Sequence, residues 1–326
     1  MPKVLANQAR RVTVVGTGVI GTSWAAHFLA RGFEVVATDP APGAAARLRE
    51  SLDRLWPALE RLGLAPGASR SRLRFADDLD ESLRDTGFVQ ENTQENLEAK
   101  QRLIGDIDVA TPAGVLIASS SSGLLPSDLQ KLCRQDPGRV LIGHPFHPPH
   151  LMPLVEVVGG RLTDPGALER AMDFYRAAGK KPIRLRQELP GHVANRLQAA
   201  LWREAFSLVE RGAATVEDID TAIMHGPGLR WAILGPFLTL HLTGGAGGMA
   251  GILDHLGPSV EAWWAQFTTP RLTSELKRAV SEDVVALAET MGGASVEARR
   301  DALLIELLAL KAGRMNALAE GPDDAK

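Results

Sequence analysis

The segment "GHPFHPPHLMPLVEV", residues 143–157, gathers the groups best suited to moving a proton: His144, His147, His150 and, inside an apolar run, Glu156. A carboxylate among Leu154, Val155, Val157 and Val158 is costly to bury without a partner. An imidazole bonded to it through one ring nitrogen keeps the other nitrogen as a general base, because the acid fixes the tautomer and favours the charged ring. If the flanking runs pair as antiparallel strands, His144 and Glu156 come face to face. A purely structural His–Glu bond is the alternative. The three histidines recur every third residue among Pro145, Pro148 and Pro149, the repeat of a polyproline helix. They could then all face one way, as metal ligands do. The simpler expectation is no metal, with His147 and His150 as loop residues near a substrate.

A second constellation opens the chain. Gly16, Gly18 and Gly21 form G-x-G-x-x-G directly after the β-branched run Val12–Val15. A helical pattern follows (Ile20, Trp24, Phe28, Leu29) and ends at Gly32; a second strand, residues 33–38, ends at Asp39. Gly16 permits a tight turn. Gly18 lets backbone approach a pyrophosphate at the helix start, Val19 and Ile20, and Gly21 lets helix and strand pack closely. Asp39 is placed to accept from an adenosine ribose, and its charge repels a 2′-phosphate, so the expected cofactor is NAD. An ordinary glycine-rich turn would not require Asp39.

These residues need a frame. Residues 44–62 read as a basic amphipathic helix interrupted at Trp56-Pro57, and strands are expected at residues 88–91, 115–118 and on both sides of the histidine loop. The alternation of strand and helix predicts an α/β Rossmann-type doubly wound sheet over residues 1–189. After "QELPGHVANRL" the apolar spacing becomes helical, and Thr215 with Asp218 forms a capping box. An all-α C-terminal domain is expected over residues 190–326, for substrate binding and dimerisation. Its long apolar helical surface suits a homodimer or an internal core equally. Net charge is −3, from 36 basic and 39 acidic residues, which offers nothing to nucleic acid or an anionic membrane. A lone cysteine, Cys133, excludes an intrachain disulfide and a cysteine-based zinc site. The opening residues lack the apolar stretch of a leader, so a soluble cytoplasmic protein is expected.

The glycine cradle, "FVQENTQENLEAK", "ASSSSGLLPS", "GHPFHPPHLMPLVEVVGG" and "PGHVANRL", followed by "ALWREAFSLVERGAATVEDIDTAIMHGPGLRWAILGPF", together resemble the L-3-hydroxyacyl-CoA dehydrogenase superfamily over about residues 10–265. The resemblance implies a His144–Glu156 catalytic dyad, substrate contacts from Ser122 and Asn195, and NAD contacts from Glu95 and Lys100. It implies oxidation of the secondary alcohol of a small 3-hydroxy acid to the 3-keto acid. The likeness is strongest to the branch acting on L-carnitine, giving 3-dehydrocarnitine; the L-gulonate and lambda-crystallin branch is further off. Other short 3-hydroxy acids, a CoA ester and a non-catalytic NAD-binding role are the alternatives. A quaternary ammonium favours aromatic faces and a carboxylate favours cations. Phe146, Trp202 and Trp231 are therefore candidates for a cage, and Arg196 and Arg230 for the acid, although aromatics at helical spacing also serve as core. Three places depart from the carnitine branch: His147 stands where asparagine is expected, Pro149-His150 where an aromatic or aliphatic pair is, and Asn195 where aspartate is.

Overall fold

The computed structural model describes residues 10–319, so the opening segment on which the leaderless reading rests lies outside the described residues. The strands are β1 (Arg11–Val15), β2 (Glu34–Thr38), β3 (Leu73–Phe75), β4 (Phe88–Glu91), β5 (Leu116–Ser119), β6 (Val140–Pro145), β7 (Leu154–Gly159) and β8 (Lys181–Arg184). The helices among them are α1 (Val19–Ala30), α2 (Ala44–Leu62), α3 (Leu79–Leu83), α4 (Leu97–Ala110), α5 (Pro126–Leu129) and α6 (Pro165–Ala177). Then follow α7 (Ala194–Glu210), α8 (Val216–His225), α9 (Pro227–Thr243), α10 (Gly248–Trp264), α11 (Ser274–Thr290) and α12 (Val296–Ala319).

The eight strands form one sheet in the order β3-β2-β1-β4-β5-β6-β7-β8. All neighbours are parallel except β6 and β7. Both faces are covered, which explains the near-continuous apolar strands. Val14, Phe88, Ala118 and Leu141 join one core with Trp24, Phe28, Leu48 and Phe174. Val15, Val89, Ile117 and Ile142 join the other with Ile104, Ile107 and Leu129. The strand order reverses between β1 and β4, and ligands of open α/β sheets bind outside the strand C-termini at such a point. Because β1, β4, β5 and β6 are parallel, their C-terminal ends share that rim.

One expectation is corrected here. Pro57 does not interrupt the second helix, which runs unbroken from Ala44 to Leu62. Proline removes one backbone donor and crowds the carbonyl four residues earlier. Pro57 is on the exposed side, where water reaches that carbonyl, while Leu48, Leu52, Trp56 and Leu59 hold the opposite face in the core.

By compactness the chain divides into two units. One runs to Asn195 and takes in Leu304–Ala309; the other comprises Arg196–Leu303 and the chain from Leu310. The capping box at the start of α8 is formed, with Thr215 Oγ1 accepting from the Asp218 N–H. No helix among the described residues is long and apolar enough to cross a membrane.

The strand that carries His144 is fixed from behind by its neighbour in sequence. Gly143 lies under the Tyr175 hydroxyl so closely that an added Cβ would come within 1.9 Å of it. That hydroxyl donates to Gln90 Oε1 at 2.7 Å, and Gln90 Nε2 donates back to the Gly143 carbonyl at 3.3 Å. Gly143→Ala should therefore push Tyr175 out of place and lower stability by about 1–3 kcal/mol, the usual cost of overpacking. Urea unfolding with an unchanged m-value checks this; a midpoint equal to wild type would show that the site gives way freely.

Candidate active site

The β6–β7 pair is antiparallel, and its register sets His144 opposite Glu156. His144 Nδ1 lies 2.9 Å from Glu156 Oε2, with the histidine 6% exposed and the acid fully buried. The other carboxylate oxygen, Oε1, accepts the backbone N–H groups of Val193 at 2.8 Å and Ala194 at 3.0 Å. Burial by itself pushes the Glu156 carboxyl up; the bonds from His144, Ala194 and Val193 outweigh it and hold the group below the usual carboxylate range. An ionised carboxylate only accepts, so the shared proton belongs to His144 Nδ1 and Nε2 keeps its lone pair. That is the arrangement of a general base. Asn195 follows directly, half-buried in the first turn of α7, so one acid fixes both the imidazole and the segment that carries the amide.

A serine-rich turn follows β5 on the same rim. Glu95 Oε1 accepts the Ser121 hydroxyl at 2.6 Å and the N–H groups of Ser122 at 2.9 Å and Gly123 at 2.8 Å. Burial raises the Glu95 carboxyl, but the Ser121, Gly123, Lys100 and Ser122 interactions bring it below its ordinary value. Ser122 itself is exposed. Lys100 differs from its expected place. Its ammonium bonds both oxygens of Glu91 at 2.8 and 2.9 Å, stands 4.0 Å from Glu95, and its side chain is 1% exposed. It sits behind the rim as a counter-ion for two acids, because Glu91 at the end of β4 is fully buried and needs one. Sequence reasoning passed over Glu91; an acid closing the apolar strand "FVQE" was its signal.

The glycine loop fits a dinucleotide on geometry alone. Gly16 has φ 85°, and a Cβ on Gly21 would meet the Gly16 carbonyl at 1.9 Å, so the protein itself requires both glycines. A Cβ on Gly18 would meet nothing within 4 Å; that face is open, as a pyrophosphate approaching the backbone needs. The first turn of α1 has no acidic residue and no side-chain cap, which leaves its N–H groups available to an anion at Val19 and Ile20. Asp39 Oδ2 accepts the Thr17 N–H at 2.7 Å and hydroxyl at 3.0 Å, and Oδ1 accepts the Ala41 N–H at 2.9 Å. Burial pushes Asp39 up, and these bonds bring it below its ordinary value. A carboxylate has about four acceptor sites, so Asp39 holds the loop and still has capacity for a ribose hydroxyl.

The three histidines of the loop do not face one way. His144 points to Glu156, His147 is exposed, and His150 is buried with Nδ1 2.9 Å from Ser23 Oγ of α1. The polyproline repeat fails because His144 belongs to a strand and His150 to a turn docked on α1. Among the described residues no three His, Cys, Asp or Glu side chains are grouped as a metal site requires. Phe146 is partly buried just after His144. Arg196, Trp202, Arg230 and Trp231 belong to the other unit, where Trp202 is 51% and Trp231 41% exposed.

Residues 11–189 match the family model for the 3-hydroxyacyl-CoA dehydrogenase NAD binding domain, and residues 191–282 match that for the 3-hydroxyacyl-CoA dehydrogenase C-terminal domain. The chain is 52% identical to L-carnitine dehydrogenase of Streptomyces griseus over 95% of its own length and 92% of that protein's. It is 47% identical to L-carnitine dehydrogenase of Bacillus cereus over 93% of each. Among solved structures, an NAD+-dependent dismutase, 5-formyl-3-hydroxy-2-methylpyridine 4-carboxylic acid 5-dehydrogenase, superposes with a TM-score of 0.80 at 28% identity, covering 94% of this chain and 99% of that one.

Replacing Glu156 by Gln removes the charge and keeps the shape. Turnover should fall by about 10²–10⁴-fold, the range for impaired acid–base catalysis, which steady-state NADH formation measures. The same variant should alter acid stability. A carboxyl depressed in the folded state contributes stability above its unfolded value, ordinarily 4.5, and that contribution is lost as pH falls through the lower folded value. Wild type should therefore lose more stability than E156Q below that pH in denaturant titrations; parallel curves would contradict the assignment.

Proposed function

The chain belongs to the 3-hydroxyacyl-CoA dehydrogenase family and is an NAD-dependent oxidoreductase, and from that premise we propose that it oxidises L-carnitine to 3-dehydrocarnitine. The observation that carries the chemistry is the buried 2.9 Å contact between His144 and Glu156 on the rim that also holds the glycine loop. The identity to two carnitine enzymes over nearly the whole chain supports the substrate.

In this reading His144 Nε2 takes the proton of the substrate hydroxyl, and Glu156 steadies the imidazolium that results. Ser122 and Asn195 donate to the same oxygen while it gains carbonyl character, which favours the charge that develops there. The glycine loop, the start of α1 and Asp39 would hold NAD, which when bound would serve as the acceptor of the hydride from the carbinol carbon. Glu95 arranges the serine turn, and Lys100 acts behind it. For the trimethylammonium head, Phe146, Trp202 and Trp231 are the aromatic candidates, with Arg196 and Arg230 for the carboxylate. The need for an NAD pool supports a cytoplasmic location.

We also propose a homodimer formed through α9. In the helical unit Leu276 is the only large hydrophobic that is buried among the described residues. Leu229, Trp231, Ile233, Phe237, Leu238 and Leu242 of α9 are all exposed, Phe237 at 78%. Exposed large apolar side chains in this number point to an association site, and a second copy is the occupant proposed.

NADH formation from L-carnitine, L-gulonate, L-3-hydroxybutyrate and its CoA ester decides the substrate. L-carnitine should exceed the others in kcat/KM by at least about 10-fold, a difference of about 1.4 kcal/mol in transition-state binding; a preference for the CoA ester would replace the proposal. His144→Ala should abolish most turnover and leave NAD affinity intact by calorimetry. Phe237→Glu should convert the dimer to monomer in sedimentation velocity; a monomeric wild type would rule the dimer out.

A further inference from the structure

His192 has no part in the chemistry above, yet it stands against the base. It is 1% exposed, and its ring centroid lies 4.9 Å from that of His144 with the planes at 46°. Its Nε2 lies 3.0 Å from the Ser121 carbonyl. A carbonyl only accepts, so the proton is on Nε2, and among the described residues the buried Nδ1 is left without a hydrogen-bond partner. The residue also has φ 50°, in the left-handed region that a bulky side chain enters rarely. A buried unsatisfied polar atom is costly, and so is a left-handed non-glycine residue. Packing alone does not call for either, since an apolar ring would fill the same space without the orphaned nitrogen.

The geometry shows what the imidazole adds. Residues 193 and 194 bond Glu156, the acid that orients His144. Residue 192 bonds Ser121, the neighbour of Ser122. The short segment before Asn195 thus touches the support of the base on one side and the serine turn on the other. We propose that His192 is a positioning residue, tying the Ser121–Ser122 turn to the frame of His144 and Asn195 so that hydroxyl, amide and base meet one substrate oxygen. Its charge state suits that place. Burial lowers its proton affinity, the Ser121 carbonyl raises it, and the nearby His144 lowers it again, with Glu156 and Glu95 acting in the opposite sense. The net effect lowers its proton affinity below that of an ordinary histidine, which disfavours a second charge beside the cation that forms on His144.

The proposal rests on His144 acting as the base, which wild-type turnover and H144A test separately. Two variants of the full-length protein, saturated with NAD and assayed on the best substrate of the panel, separate its parts. H192F keeps a ring and loses the donor; H192Q loses the ring and keeps an N–H at about the same reach. H192F should lower kcat by about 10- to 100-fold, the effect of a misplacement near 1 Å, with NAD affinity unchanged. H192Q should recover most of that loss. H192M, also without a donor, serves if H192F does not fold. A kcat equal to wild type in the donor-less variants, or an equal loss in H192Q and H192F that follows their Tm, would overturn it.

Discussion

Glu156 is a carboxylate without access to solvent whose two oxygens face different parts of the chain. One meets His144 Nδ1; the other meets two N–H groups just before Asn195. A buried carboxylate tolerates burial only when its lone pairs are filled, so each partner is held in place by the others' need. The His144 imidazole and the approach to α7 are therefore set by one charge. The antiparallel register of β6 and β7 makes this possible, and Gly143 under Tyr175 keeps β6 from shifting along it.

The cofactor side obeys the same logic with different partners. Asp39 is bonded to Thr17, within the glycine loop, so the acid expected to read the ribose also shapes the loop expected to cradle the phosphates. Glu91 and Lys100 form a buried pair that closes the ends of β4 and β5, with Ser119 and Thr93 hydroxyls filling further acceptor sites on Glu91. Such a pair contributes little net stability compared with apolar packing, but losing one partner leaves a stranded charge. Its value here is geometric: it holds the rim from which Glu95 and the serine turn project.

The two units differ in how they are stabilised. The sheet unit has two full apolar cores. The helical unit has few buried side chains and many exposed ones, several of them aromatic. Amphipathic helices gain most of their stability from the face they bury, and the helical unit leaves more large apolar side chains exposed than the sheet unit does.

Local pattern alone determined much of this protein. The glycine triplet, the β-branched runs, Asp39 at a strand end and the capping box at Thr215 are short-range signals, and each is where the spacing put it. The facing of His144 and Glu156 was legible because two strands joined by a short loop have few ways to pair. What the spacing left undecided were meetings across crossovers. Lys100 turned inward to Glu91, His150 docked on Ser23, Pro57 stayed within its helix, and His192 came to rest against His144. Each of these depends on which strand lies beside which and which helix covers them. A polar atom in a packed interior takes whatever partner the sheet order brings within about 3 Å, and that order is a property of the whole fold.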